Sequence, residues 1–422
     1  MAFSGVGLQT SYFIQGMLKT GKYQFVSLGG AVKHEDYRPI KTQEWGDDWL
    51  IIPIQGYGNQ ESLRSIIRIH RPDIVWIITD PRSFGFLFRM ENEIRPLASL
   101  VYNTIWDNFP YPKFNKPAYE SMDMLVPISK VTENIVKNVA PKVECHRIPH
   151  FVDMNIYKKL PEKDIVEFRK QNFPDKEFIF FWNNRNAKRK QTGTVILGFK
   201  NFIERNKIED KCMLILHTDP KDPYGQDLNI LIKDFGLDNG QVKLSQQKMS
   251  HENLAFVYNA IDCTINISNA EGFGLSTFES LACETPILVN DTGGLQEQAR
   301  FLEEVTQEEM EIRGKNEESP KIVDNGIIIQ PRSKSLIGSQ EVSYIYEDSI
   351  ILEDYVKALE MMYNLPKHER DAMGRRGREH LEKHYNPEDC LQKWDEVLTN
   401  LYEKNGSWDT RKNYKPWEMR TF

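Results

Sequence analysis

Residues Cys263–Gly294 read CTINISNAEGFGLSTFESLACETPILVNDTGG, and this stretch decides the fold. The apolar run Cys263–Ile267 has the character of a buried strand, and Asn269–Gly274 form a glycine-rich turn. Ser276 opens a predicted helix through Thr277, Phe278, Glu279 and Leu281 to Glu284; Pro286 stops it, and Ile287, Leu288 and Val289 make the next strand. Strand, helix, strand at this spacing is the unit of a parallel α/β sheet. Glu271 stands just ahead of the helix and Glu279 inside it. A helix N-terminus offers unpaired N–H groups and the positive end of a dipole, which an anion wants, and carboxylates beside it accept from hydroxyl groups. Gly272 and Gly274 let a ligand approach the backbone closely. A plainer reading stands next to this one. Ser276-Thr277-Phe278-Glu279 is also a capping box, in which Glu279 reaches back to the N-cap amide, and a loop carboxylate such as Glu271 is ordinarily just solvated.

Working outward, the same alternation fills both halves of the chain. Before the stretch come the strand Phe178–Trp182, the basic run Asn183–Gln191 and an amphipathic helix from Thr194 to Arg205. Arg185 and Lys190 at that strand end are candidates for phosphate, as fork and point charge respectively, against the alternative of a solvated basic loop. In the first half, Phe25–Leu28, Leu50–Ile54, Ile74–Ile78 and Ser99–Ile105 read as strands, with helices over Glu61–His70 and Phe84–Ile94. Ligands then belong at the carboxyl ends of the strands, where Trp106-Asp107 stands; Asp107 is either a catalytic or acceptor-orienting carboxylate or a turn former. Gly5 and Gly7 open the first helix with only four residues ahead of them, so the chain is expected to begin one strand late. The segment His146–Asp153 marks a boundary, which gives domains at 1–153 and 154–400 and a tail at 401–422. The charged segment Glu303–Asp324 reads as a solvated insertion. The tail carries Trp408, Tyr414, Trp417 and Phe422 and is expected to pack back on the first domain.

Composition narrows the functional classes. A chain of 422 residues is too long for one ordinary core. A net charge of -7 argues against a dedicated nucleic-acid binder. Five scattered cysteines without paired spacing disfavour a disulfide framework and a zinc site, and point to the reducing cytoplasm. No run of eighteen apolar residues suggests a membrane span, which leaves peripheral membrane contact open.

Taken together, Glu271–Glu279 with seven residues between the glutamates, Ala282–Pro286, Asp291–Gly294, Arg185 with Lys190 at a spacing of five, Ile148-Pro149 with Val152-Asp153, and Met373–Arg378 with Tyr385 resemble the signature of retaining GT-B glycosyltransferases of family 4. The likeness is specific in the second half and diffuse in the first. It implies two facing Rossmann-like domains with parallel sheets and a nucleoside-diphosphate sugar as donor, with no further cofactor and no metal. By position, Glu271 would hold donor-sugar hydroxyls, Glu279 the ribose, and Arg185 with Lys190 the diphosphate. Gly272, Phe273, Gly274, Leu275 and Ser276 would line the donor, with Gly5 and Gly7 across the cleft. The chain departs from the family at Trp106-Asp107, where a histidine is usual, and at Cys283-Glu284, where a small residue and glycine are usual.

The expected function is transfer of a hexosyl group, with retention, to an unidentified glycan, lipid or small-molecule acceptor. A GT-B epimerase or phosphorylase, or a nucleotide-sugar-binding protein without catalysis, would share the same cleft.

Overall fold

The computed structural model of the chain describes residues 4–301 and 318–414. The first half holds β1 (Phe25–Gly29), β2 (Ile40–Thr42), β3 (Gly46–Pro53), β4 (Ile74–Ile78), β5 (Ser99–Thr104), β6 (Met124–Pro127) and β7 (Glu144–Cys145). β1 pairs in parallel with β3, which β2 joins antiparallel, and β4-β5-β6-β7 form a separate parallel sheet. Helix α1 (Gly5–Lys19) roofs both groups: the Phe13 ring lies 5.7 Å from Phe25 of β1 and 4.6 Å from Trp76 of β4. The sequence leads one to expect a strand ahead of α1; among the described residues β1 and β4 each have a paired strand on one side only.

The second half holds β8 (Phe178–Asn183), β9 (Cys212–His217), β10 (Val242–Ser245), β11 (Cys263–Asn266), β12 (Ile287–Asn290), β13 (Lys321–Ile322) and β14 (Gly326–Ile329). Their order is β10-β9-β8-β11-β12-β14-β13, parallel except for β13. From β8 the chain builds outward in one direction and from β11 in the other. The topological switch point therefore lies between β8 and β11, and ligands bind outside the carboxyl ends of the strands at such a point. β8 shows why this sheet is central: Phe178, Phe180 and Trp182 enter one apolar cluster, while Ile179 and Phe181 enter the cluster on the other face. Burial of both faces at a period of two is what a near-continuous apolar strand encodes.

Three helices close the chain. Lys367–His384 lies against the helix Leu275–Ala282, and it can do so because Gly374 and Gly377 face it; a Cβ on Gly374 would collide with the Glu284 carbonyl. Pro387–Asn405 lies mostly within the stretch 154–400, yet its stripe of Cys390, Trp394, Leu398 and Leu401 is buried with Phe13, Val101 and Met124 of the first half. Beyond it the Trp408 amide donates to the Leu97 carbonyl at 2.7 Å, and Arg71 stacks on the indole at 4.6 Å. The Tyr414 hydroxyl donates to Asn92 Oδ1 at 2.8 Å. Trp417 and Phe422, and most of the expected insertion Glu303–Asp324, lie outside the described residues.

Several elements differ from the sequence reading, among them β2, β7, β13 and the helix Glu162–Asn172, which it does not contain. The helix expected over Phe84–Ile94 is split into Gly85–Phe88 and Glu91–Ile94, although Leu87, Met90 and Ile94 still face the core at helical spacing. An antiparallel hairpin, β15 (Ser333–Ile337) and β16 (Ile345–Ser349), follows β14 where no element is expected. Among the described residues no helix is long and apolar enough to cross a membrane.

Candidate functional site

The loops after β8 and β11 meet at the switch point. After β8 a short turn, Lys188–Lys190, ends at Gln191 with a left-handed φ of 57° and turns into the helix Thr192–Asn206. This aims Lys190 inward, where its side chain is 7% exposed and its ammonium pairs with Glu271 of the β11 loop. Arg189 lies 3.7 Å from the same Glu271 oxygen and donates to the Ala270 carbonyl at 2.7 Å. Burial alone would raise the Glu271 carboxyl, but Lys190 and Arg189 outweigh it and hold the group down at about 2. Burial, with Arg189 adding to it, lowers Lys190 to about 8 against the opposing pull of Glu271. Both partners are thus charged near neutral pH.

The β11 loop is propped from behind. Gly293 has φ 51° and packs so closely on the Glu271 backbone that a Cβ would overlap the carbonyl, and the Gly294 amide donates to that carbonyl at 2.9 Å. The helix then starts at Leu275, with Gly274 at φ 90° in the N-cap position and no side-chain cap. This removes the capping-box reading: Ser276 is inside the helix with a buried, unpartnered Oγ, and Glu279 faces away from the N-cap. Glu279 accepts from the Tyr258 hydroxyl at 2.7 Å, and burial pushes its carboxyl up to about 7 despite hydrogen bonds from Tyr258 and Tyr157. The Tyr12 hydroxyl of α1 is also buried and unpartnered. Charge from Glu279 contributes to the raised pKa of Tyr12, behind burial itself.

From the first half, the loop after β5 reaches this same place. A Cβ on Gly272 would stand 3.0 Å from the Ile105 carbonyl oxygen and 3.8 Å from Asp107 Oδ2. Burial pushes Asp107 up to about 6, with Arg189 and Lys190 pulling it down and Glu271 adding to the rise. Gly5 meets the Leu275 side chain, 2.9 Å from its Cβ position to Cδ1, so the N-termini of two helices face each other. The Gly7 amide is taken up by the Ser4 cap. Phe273 is buried among Phe278, Tyr385 and His150 and acts as packing beneath the loop.

The structure thus brings Glu271, Lys190, Asp107 and the Gly272 backbone together, with Glu279 one turn into the helix that follows, against Tyr258. Arg185 is not among them. Its guanidinium pairs with Asp222 at 2.6 Å, lies over Tyr224 at 4.6 Å, and its side chain is 60% exposed. Arg189 stands at the site in its place. Sequence reading missed it because three basic residues follow one another at 188–190; the turn buries Lys190 and leaves Arg189 at the rim, within reach of Glu271. Among the described residues no three His, Cys, Asp or Glu side chains converge as a metal centre would need.

Known proteins carry the same architecture. Sucrose-phosphate synthase from Thermosynechococcus elongatus superposes with a TM-score of 0.71 over 95% of this chain and 94% of its own, at 15% identity. The chain has the GT-B fold. The Anabaena HepE protein in complex with UDP and glucose matches this GT-B chain with a TM-score of 0.66 over 94% of it and 96% of HepE, at 14% identity. In sequence, residues 164–306 match the family model for glycosyl transferases group 1, and so include both loops of the GT-B switch point. The alpha-monoglucosyldiacylglycerol synthase of Streptococcus pneumoniae is 26% identical over 177 residues, covering 40% of this chain and 37% of that protein.

Proposed function

We propose that the chain is a retaining, metal-independent glycosyltransferase that moves a hexosyl group from a nucleoside-diphosphate sugar to an acceptor hydroxyl, with 1–153 as the acceptor side and 154–400 as the donor side. One observation carries the reading: a helix N-terminus and the buried Lys190–Glu271 pair meet at the sheet switch point, and the same helix carries the buried carboxyl of Glu279. On donor binding, Lys190 exchanges Glu271 for the diphosphate, which frees Glu271 to accept from donor-sugar hydroxyls. Glu279 takes the ribose hydroxyls, and Arg185 turns from Asp222 to the phosphates. The bond from the anomeric carbon to the phosphate oxygen breaks, and its electron pair leaves on the diphosphate. The acceptor oxygen bonds to the same face of the sugar and its proton passes to Asp107. Cations and helix N–H groups aimed at the departing charge are the main catalytic contribution, with one such contact worth about 3 kcal/mol.

UDP-glucose is the first donor to test, because HepE has been solved in complex with it. The S. pneumoniae relative makes a glucosylated lipid by its name, so diacylglycerol vesicles belong beside sugars and sugar phosphates among the acceptors. The free cysteines fit a cytoplasmic protein, and no nucleic-acid partner is expected. The test is a thermal-shift screen of nucleotides and nucleotide-sugars followed by a transfer assay with and without EDTA. A donor that binds the folded state raises its midpoint, and transfer with retained anomeric configuration, insensitive to EDTA, is expected; no shift with any nucleotide would overturn the reading. A second reading, donor binding without catalysis, draws on the Arg185–Asp222 pair. If Arg185→Ala leaves transfer at the wild-type rate, Arg185 has no catalytic role; if the wild type binds donor yet never transfers, the binding-only reading wins.

A further inference from the structure

The hairpin β15–β16 touches both sides of the cleft. At its base, the Asp348 amide donates to the Asn269 carbonyl at 3.2 Å, Thr292 Oγ1 donates to Asp348 Oδ2 at 2.9 Å, and Asn290 Nδ2 donates to the Asp348 carbonyl at 2.9 Å. Asn269 and Thr292 belong to the two loops that shape the Glu271 side. Further along the same strand, the Tyr346 amide donates to the Phe109 carbonyl at 2.7 Å. The Tyr344 hydroxyl donates to the Tyr111 carbonyl at 3.3 Å and accepts from the Lys113 amide at 3.2 Å, and its ring meets Phe114 edge-on at 5.0 Å. At the tip, Val342 is 7% exposed and belongs to the apolar core of the first half. From Asp348 to Tyr344 is four residues, about 13 Å of extended chain. One strand therefore spans from the donor-side loops to the loop that carries Asp107.

That loop is tied from outside as well as within. Between β5 and the turn at Lys113, the Trp106 Nε1 to Asn108 carbonyl bond of 3.0 Å and the Lys113 amide to Tyr111 carbonyl bond of 2.8 Å are local ties, while the Phe109 carbonyl accepts from the hairpin's Tyr346 amide and the Tyr344 hydroxyl bridges the Lys113 amide and the Tyr111 carbonyl from outside. Backbone polar groups taken out of water must be satisfied somewhere, and here the Phe109 carbonyl is satisfied from the other half of the molecule. We propose that the hairpin Ser333–Ser349 is an interdomain strap, and that Tyr344 is a positioning residue which holds the Trp106–Lys113 loop, and with it Asp107, opposite the Lys190–Glu271 pair. This rests on the proposed transfer reaction only for its functional consequence; the strap itself is a statement about structure. The partners of Tyr344 are Tyr111, Lys113 and Phe114 on the acceptor-side loop, so its removal should spare donor binding and impair use of the acceptor.

The test compares the full-length wild type with Tyr344→Ala and Tyr344→Phe. Amide exchange followed by mass spectrometry over residues 106–115 should speed up roughly tenfold in Tyr344→Ala, since the loop loses both the hydroxyl bridge and the ring contact that tether it to the hairpin. Tyr344→Phe keeps the ring packing on Phe114 and loses the hydroxyl, so it should give a smaller acceleration with an unchanged thermal midpoint, and it serves if the alanine variant fails to fold. In transfer assays the acceptor KM should rise or kcat fall by about tenfold or more in Tyr344→Ala, as expected when a reacting group is displaced. The UDP-induced thermal shift should stay at the wild-type value. Unchanged exchange over 106–115 in both variants overturns the strap, whatever the enzyme does. Accelerated exchange in a protein whose wild type never transfers sugar keeps the strap and overturns the proposed function instead.

Discussion

The Lys190–Glu271 pair is the most consequential contact at the scale of single residues. Two buried charges that satisfy each other are tolerated, whereas one left alone is not, so Lys190→Met or Glu271→Gln alone should cost about 3–5 kcal/mol in urea unfolding. The double variant should recover much of that loss, and a simple sum of the two single effects would show that the pair is not coupled. Glu279 gives a different signature. Burial raises its folded pKa from 4.5 to about 7, so the native state holds a proton that the unfolded state has released. Stability attributable to this group is therefore full below about pH 4.5 and is lost as pH rises to about 7, by on the order of 3 kcal/mol. Glu297, also pushed up to about 7 by burial, adds to the same window. Glu279→Gln should flatten the pH dependence of the thermal midpoint between those values while weakening the UDP-induced shift. A variant that retains the wild-type slope would remove Glu279 as its source.

Among the elements, the packing of Lys367–His384 on Leu275–Ala282 decides how firmly the donor-side helix is held. Gly374 sits where a Cβ would meet the backbone at Glu284, which cannot rotate out of the way. Gly374→Ala should lower stability by about 1–3 kcal/mol, read as a lower urea midpoint with unchanged slope. Glu284 has φ 60°, a left-handed conformation in which glycine is favoured. The departure from the family noted at Cys283-Glu284 thus leaves the backbone turn in place and fills it with a residue less suited to it. Glu284→Gly is the natural companion variant and should raise the midpoint.

At the scale of the whole molecule, the chain crosses back after completing its second sheet. Trp394 packs with Phe13 at 4.7 Å and with Trp76 at 6.3 Å, so the last helix closes the first half from outside it. Trp394→Ala should cost about 3–5 kcal/mol and split thermal unfolding into two transitions, the first half melting earlier; a single transition at the wild-type midpoint would show that the helix is dispensable. The parallel α/β elements were legible in the sequence because an apolar strand buried on both faces and a glycine turn followed by a helix are local patterns. Phe178–Trp182 and Cys263–Gly294 could be read without knowing what surrounds them, and so could the carboxylate at 271 and the lysine at 190. What local pattern cannot carry is which distant groups meet. Arg185 and Arg189 are alike in sequence and both about half or more exposed, yet Arg185 pairs with Asp222 and Arg189 with Glu271, a difference of partner that residue type does not encode. The last helix has an amphipathic stripe in any reading, yet its partner sheet lies some 300 residues earlier. Glu279 fits a helix cap by spacing and is taken by Tyr258 in space. The strands buried on both faces, the glycine turn and the charged residues of the loops follow from local pattern; the hairpin Ser333–Ser349 and the pairing of distant groups follow from tertiary packing, because burial and electrostatic partnership depend on distances between segments that no local period encodes.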